Sequence, residues 1–123
     1  MSTPRSAAPT AAPSAPASWE HVDEAECRHA SEILEVVGQR WSPSILLTLA
    51  RGADRFSEIA ALVPGLSARM LTVRLQQLEA ADLVERTVTP TTPVSVRYRL
   101  TARGDDLITA LQPIAGHIQR WNT

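Results

Sequence analysis

Apolar residues from position 25 onward recur at intervals of three and four, which predicts amphipathic helices. The pattern becomes helical from Ala25, and the first helix is expected to bury one apolar face and to end at Gly38. The segment WSPSILLTLARG predicts a second helix, because Ser42 can act as its N-cap, Pro43 suits the first helical position and Gly52 ends the pattern. The pattern therefore begins with two consecutive helices.

Two more helices are predicted next, separated by a tight turn. The segment DRFSEIAALVPG predicts a short third helix that ends at the Pro-Gly pair. Ser67 can cap a fourth helix, in which Leu71, Leu75 and Leu78 recur at i, i+4 and i+7 as a buried stripe. A short helix, a turn that contains glycine and a second helix form the helix-turn-helix arrangement.

After the fourth helix the pattern changes from helical spacing to alternation. LVERTVT (83–89) and VSVRYRL (94–100) predict two strands that are joined by the turn PTTP as a hairpin. Thr101 can cap a last helix, whose apolar residues form a seam of the kind seen between paired helices. The residues of this seam are Leu107, Leu111, Ile114, Ile118 and Trp121.

This order of elements predicts a mainly α fold with a small β-hairpin wing, that is, a winged helix-turn-helix. The apolar positions also predict the core, which is expected to contain Leu34, Trp41, Ile45, Leu46, Leu49, Phe56, Ile59, Leu71, Leu75, Leu78, Leu83, Tyr98 and Leu100. The seam of the last helix exceeds what one small core requires. We therefore expect it to pack against a second copy of the chain.

Composition adds limits to this interpretation. Residues 1–18 contain only Ala, Pro, Ser, Thr, one Met and one Arg, which predicts a disordered tail ahead of a single domain at 19–123. No apolar run approaches the ~20 residues of a membrane span, and no signal-peptide core is present in the sequence. With a single cysteine, a disulfide-stapled secreted fold is not expected. These features favour a cytoplasmic protein without a membrane partner.

The net charge of −1 argues against a broadly basic nucleic-acid coat, but the charge is unevenly distributed. Six arginines lie between residues 67 and 103. The outward face of the fourth helix carries no acid and is expected to consist of Arg69, Thr72, Val73, Gln76 and Gln77. Arg commonly pairs with guanine and Gln with adenine in the major groove, which admits one α-helix. The sequence therefore predicts that this face reads base pairs of double-stranded DNA.

Residues around this face are expected to hold the DNA backbone. Ser67, Ala68 and the first amides of the fourth helix can bind a phosphate. Arg74 lies beside the buried stripe, where it would contact a phosphate or pair with an acid such as Glu79. The hairpin is expected to contribute four residues that suit the adjoining backbone or minor groove: Thr91, Thr92, Arg97 and Arg99.

From about Cys27 to Trp121 the sequence resembles the HxlR-type winged helix-turn-helix transcriptional regulators of bacteria. The motifs that carry the resemblance are G-x-x-W, RFSEI, GLSARMLTVRL and YRLTARG. The resemblance implies a homodimer whose first and last helices form the interface, which adds Ile33 to the seam. It also implies an inverted-repeat operator, usually bound to repress a neighbouring gene. Two recognition helices would then enter successive major grooves roughly 34 Å apart.

The resemblance also draws attention to Cys27, which is expected just before the first helix, close to a redox- or electrophile-sensing cysteine of many family members. The surroundings depart from the family pattern, because Arg28 follows where proline is common. A sensing thiol needs solvent access and a nearby cation or helix start; Arg28 favours this role, whereas Glu24 and Glu26 oppose it. Two interpretations stay open, a thiol whose modification releases DNA and a chemically quiet cysteine.

The sequence contains no motif that indicates catalysis. Cys27 and His29 form only a C-x-H pair, and no metal-ligand spacing, nucleophile–base pair or phosphate-cradling loop is present in the sequence. We therefore expect no enzyme activity, metal or cofactor, and the effector stays unknown. The alternative to a DNA-binding regulator is a winged-helix module for protein contacts, which would lack steeply salt-dependent binding to duplex DNA.

Overall fold

The computed structural model describes residues 23–122, so the tail predicted at residues 1–18 lies outside the described residues. The elements within that range are α1 (Glu24–Val37), α2 (Ser42–Ala50), α3 (Phe56–Leu62), α4 (Ala68–Ala80), β1 (Val84–Thr89), β2 (Ser95–Leu100) and α5 (Ala102–Asn122). This order confirms the mainly helical fold with a two-stranded wing. The chain divides into two units after Ile33. The described part of the first unit is the beginning of α1, and the second unit contains the other elements.

The start of α2 differs from the prediction, since Ser42 is not its N-cap. The preceding residue, Trp41, enters the helix in a left-handed conformation with φ of 80°, and no side chain caps the helix. Ser42 is the first helical residue, and its hydroxyl oxygen is buried without a hydrogen-bond partner. A Cβ at Gly65 would lie only 3.3 Å from the Trp41 ring, so the indole packs closely against the turn before α4. This packing sets how the chain enters α2.

The core agrees with the prediction at most positions. Its buried apolar residues are Val37, Ile45, Leu46, Leu49, Ile59, Val63, Leu66, Leu71, Leu75, Leu78, Leu83 and Val84. Four of the expected residues are only half-buried: Trp41, Phe56, Tyr98 and Leu100. The expectation for Leu34 is wrong, because 55% of this residue is exposed. Helix α1 buries only its last residue, Val37, and no element of the second unit covers Leu34.

The wing is a two-stranded antiparallel hairpin with an unbroken register from Val84↔Leu100 to Thr89↔Ser95. Each strand begins one residue later than the sequence predicts. The free edge of β2 is held by the loop before α3, because the Tyr98 amide donates to the Asp54 carbonyl at 2.8 Å.

Thr101 connects the wing to α5 and confirms the predicted cap. Its hydroxyl accepts a hydrogen bond from the Gly104 amide at 3.0 Å and donates one to the Asp82 carbonyl at 2.6 Å. Its amide donates to the Leu83 carbonyl. The first turn of α5 is therefore fixed against the chain that enters β1.

The seam of α5 becomes more exposed toward its C-terminal end. Leu107 and Leu111 are half-buried, Ile114 and Ile118 are each 48% exposed, and Trp121 is 77% exposed. This single chain therefore leaves much of the seam uncovered. Among the described helices, none combines the length and apolarity that a membrane span requires.

The approach of α5 to β1 predicts a strong effect of Gly104→Ala. A Cβ at Gly104 would overlap the backbone carbonyl of Leu83, which a flexible side chain cannot relieve. We expect the free energy of unfolding to fall by about 1–3 kcal/mol, the usual range for overpacking. The matched control is Gly116→Ala in the same helix, where the nearest atom is on the Arg120 side chain at 3.6 Å. The control should gain roughly 0.5–1 kcal/mol. Urea denaturation measures the free energy of unfolding of both variants. Equal changes in Gly104→Ala and Gly116→Ala would contradict the overlap at Gly104.

Candidate nucleic-acid interface

Helix α4 starts at a cap that the sequence predicts. Ser67 is in an extended conformation, and its hydroxyl oxygen accepts a hydrogen bond from the Met70 amide at 3.1 Å. The turn before it includes Gly65 with φ of 87°, a left-handed conformation that glycine adopts readily. The cap and the turn together fix the orientation of α4 relative to α3.

The outward face of α4 is mostly exposed. Six of the predicted DNA-contacting residues on α4 and at its start are exposed, namely Ser67, Ala68, Arg69, Thr72, Gln76 and Gln77. Val73 and Arg74 are half-buried. The Thr72 hydroxyl donates to the Ala68 carbonyl within the helix. The side chains of Arg69 and Gln76 make no hydrogen bond or ion pair with other residues in the part of the chain that the structure describes.

Arg74 differs from its neighbours, because the protein itself engages it. Its Nε donates to the Arg40 carbonyl at 2.8 Å, and its Nη1 donates to the side-chain oxygen of Gln77 at 3.0 Å. The suggested pairing with Glu79 is therefore not formed. Arg74 therefore joins α4 to the turn between α1 and α2. Because these two hydrogen bonds occupy part of its guanidinium, fewer of its donors are available to a phosphate. Gln77 uses only its side-chain oxygen in this contact, so its amide donors are available to an external partner.

The tip and the outer face of the wing are exposed but not free of partners. Thr91 and Thr92 lie at the tip, where the Thr91 hydroxyl donates to the Pro93 carbonyl at 2.7 Å. Arg99 lies 3.9 Å from Glu85 on the neighbouring strand, a loose surface pair. The sequence alone predicts no acidic partner for Arg99.

Arg97 makes a closer ion pair that the sequence analysis missed. Its Nη1 donates to Asp54 Oδ2 at 2.6 Å. Asp54 also accepts the Tyr98 amide at its backbone carbonyl, so one residue binds both the backbone and a side chain of β2. Its own amide donates to Glu58, which helps to start α3. No local pattern signals this pair, because 43 residues separate its members.

Cys27 lies within α1 and not before it, which corrects the sequence interpretation. The helix begins at Glu24, and Asp23 caps it by accepting the Glu26 amide at 2.8 Å. The thiol is exposed and borders a shallow depression of about 520 Å³ that is also lined by Glu24, Arg28, Ser31 and Glu32. A cation and two acids therefore share the surroundings of Cys27. Within residues 23–122, no three His, Cys, Asp or Glu side chains are placed to hold a metal ion.

The residues predicted for a dimer interface lie on two helices. Ile33 is half-buried on α1, in the first unit, and the other five are the α5 seam described above. The pairing of these surfaces between two copies of the chain stays a prediction.

Comparison with known proteins identifies relatives over most of the chain. The family model described as HxlR-like helix-turn-helix matches residues 36–123. The HTH-type transcriptional regulator YvaP of Bacillus subtilis (strain 168) is 41% identical over 97 residues, which cover 79% of this chain and 86% of YvaP.

Two solved structures are also similar to this chain. Diamide-treated YodB from B. subtilis has a TM-score of 0.70 and 36% identity, and the match covers 77% of this chain and 94% of YodB. The redox regulator HypR in its oxidized form has a TM-score of 0.62 and 32% identity, and the match covers 76% of this chain and 92% of HypR.

The Asp54–Arg97 pair predicts a pH-dependent contribution to stability. The hydrogen bond from Arg97 holds the pKa of Asp54 below its ordinary value of 3.8, against the opposing effect of burial. A carboxylate whose pKa is lowered by folding stabilises the fold above its unfolded pKa, and this contribution is lost as the pH falls through the folded pKa. Asp54→Asn should therefore be less stable than the wild type near neutral pH, by a difference that shrinks below about pH 4. Urea midpoints across a pH series measure it, and a pH-independent difference would contradict the role of the carboxylate.

Proposed function

The chain belongs to the HxlR-like helix-turn-helix family, and on that premise we propose that it binds an inverted-repeat DNA operator as a homodimer and represses transcription. The observation that carries the proposal is the outward face of α4, where the side chains of Arg69 and Gln76 are exposed without partners among the described residues. Because bacterial chromosomal DNA lies in the cytoplasm, the proposal places the protein there.

The chemistry of this face suits a major groove better than a protein surface. From Ala68 to Gln77 the helix contains no acid that would repel a phosphate. Its exposed side chains include a guanidinium and primary amides, which can each make two hydrogen bonds to one base edge. Ser67 and the first amides lie at the positive end of the helix, where a phosphate is stabilised. A module for protein contacts alone would require none of these features.

The wing has a narrower role than its arginine content suggests. Arg97 is paired with Asp54, so we propose that it mainly fixes the wing and reaches a phosphate only with the part of its guanidinium that Asp54 leaves free. Arg99 is the more available of the two, since its nearest acidic oxygen is 3.9 Å away. Thr91 and Thr92 at the tip suit the adjoining backbone.

The homodimer is supported by the exposed seam of α5. Trp121, Ile114 and Ile118 are all exposed on this helix. A group of large apolar side chains exposed together on a surface usually marks a site that binds a partner. A twofold dimer would present two copies of α4 to successive major grooves, which matches an inverted repeat. We include Ile33 of α1 in this interface.

Cys27 is proposed as the residue through which oxidants relieve repression. Its thiol is exposed near the start of α1. Two thiols from two copies would lose two hydrogen atoms to an oxidant such as diamide and form a disulfide between the subunits. A changed separation of the two α4 helices would then weaken binding to a fixed operator.

The experiment that tests the function is fluorescence anisotropy with the full chain. The duplexes are the intergenic DNA beside its own gene and a scrambled duplex of equal length, each across a salt series. Selective binding with an affinity that falls steeply with salt supports the regulator. Absence of binding to either duplex at low salt would contradict a DNA role and favour the module for protein contacts.

Arg69→Ala should reduce specific binding by about 1–3 kcal/mol, because the variant has no guanidinium to read a base. The matched control is Arg103→Ala in the first turn of α5, which lies outside the proposed interface. Anisotropy on the preferred duplex measures both. Unchanged affinity and unchanged base preference for the Arg69 variant would remove it from the reading face.

Treatment with diamide should abolish selective binding by the wild type and leave Cys27→Ser bound. Non-reducing electrophoresis of the treated wild type should show a disulfide-linked dimer that dithiothreitol reverses. Equal loss of binding in the wild type and Cys27→Ser would exclude Cys27 as the sensor and leave the DNA function in place.

Ile118→Asp should convert the dimer into a monomer, because the charge would be buried without a partner in the seam. Ile118 is 48% exposed in the single chain, so the variant should still fold. Sedimentation velocity and circular dichroism measure assembly and folding. A folded variant that remains a dimer would place the interface elsewhere.

A further inference from the structure

A groove of about 340 Å³ separates α4 from the hairpin. It is lined by Thr72, Leu75, Gln76, Glu79, Arg86 and Tyr98. Its α4 side carries Thr72, Gln76 and Glu79 at i, i+4 and i+7, so they form one stripe. Thr72 and Gln76 of this stripe also belong to the outward face of α4. Arg86 is one of the six arginines between residues 67 and 103, and the sequence alone indicates no role for it.

The hairpin side of the groove follows from the strand register. Arg86 and Tyr98 are directly opposite each other, so their side chains share one face of the wing. Two residues away on the same face, Val84 is buried and opposes Leu100. Arg86 therefore extends from the face that packs toward the core and is exposed at the groove. Its side chain makes no hydrogen bond or ion pair with any residue that the structure describes.

We propose that this groove binds one phosphate of the DNA backbone, with Arg86 as its charged donor and the Tyr98 hydroxyl as a second donor. The inference rests on the proposed function. If α4 occupies a major groove and the wing reaches the neighbouring minor groove, the phosphate strand between those two grooves has to cross the gap between helix and hairpin. Arg86 and Tyr98 lie in that gap.

Glu79 provides a second test, because its substitution should change DNA affinity in the direction opposite to that of Arg86. It is the one acid among the residues that line the groove, and its carboxylate would repel the phosphate that Arg86 attracts. A phosphate in the groove therefore makes the two residues affect affinity in opposite directions. If Arg86 and Glu79 were only solvated surface residues, neither substitution would change the dependence of DNA binding on salt.

The experiment compares Arg86→Gln, Glu79→Gln and Tyr98→Phe with the wild type by anisotropy. The probes are a random-sequence duplex and the intergenic duplex beside the gene, each across a salt series. Arg86→Gln should weaken binding to both duplexes by about tenfold and reduce the slope of log affinity against log salt by about 0.9 for each phosphate that is no longer neutralised. Tyr98→Phe should weaken both by a smaller factor, and Glu79→Gln should strengthen both. Arg103→Gln is the matched control and should leave the slope unchanged.

The outcomes separate this inference from the proposed function. An Arg86→Gln slope equal to that of the wild type, with Arg69→Ala still impaired, would overturn the phosphate site and leave DNA reading by α4 intact. Weaker binding to the intergenic duplex alone would also overturn it, because a phosphate contact carries no sequence preference. Absence of binding to either duplex by the wild type would overturn both. Circular dichroism and urea denaturation of each variant confirm that the chain is still folded.

Discussion

The burial of one face of α4 is the constraint on which the rest of the structure depends. Leu71 and Leu78 are completely buried and Leu75 is 2% exposed, and each buried leucine stabilises a fold by about 1.5–3 kcal/mol relative to an exposed one. A helix that buries one stripe must turn the opposite stripe outward. The leucines that hold the core therefore also direct Arg69 and Gln76 away from it, so stability and the candidate reading face are two sides of the same helix.

The wing depends on contacts outside the hairpin itself. An isolated two-stranded hairpin is marginally stable, and this one is held at two places. Asp54 binds the backbone and a side chain of β2, while Thr101 ties the end of β2 to the chain that enters β1. These attachments set the distance between wing and α4, and with it the width of the groove at Arg86. Asp54 and Thr101 thus position the wing relative to α4, although neither residue is proposed to contact DNA.

Arginines that look equivalent in the sequence have different environments in the structure. Arg69, Arg74, Arg97 and Arg99 all occupy positions that periodicity places outside the core. Of these four, only Arg69 has a side chain without a hydrogen bond or ion pair to another described residue, whereas Arg74 binds the Arg40 carbonyl and Arg97 binds Asp54. Both of those partners lie more than thirty residues away in the chain. A prediction from local pattern therefore identified the basic surface but not the partners that bind Arg74 and Arg97.

The sequence by itself determined the order of the elements, the caps at Ser67 and Thr101 and the leucine stripe of α4. These features depend on periodicity and on hydrogen bonds between residues three or four apart, so neighbouring residues in the sequence are enough to specify them. Tertiary structure alone decided that Ser42 is a buried helical residue, that Leu34 is exposed and that Asp54 holds Arg97. Those outcomes depend on which distant segments of the chain come into contact. Burial and ion pairing are decided by the surrounding residues, and hydrophobic periodicity does not specify which residues those are.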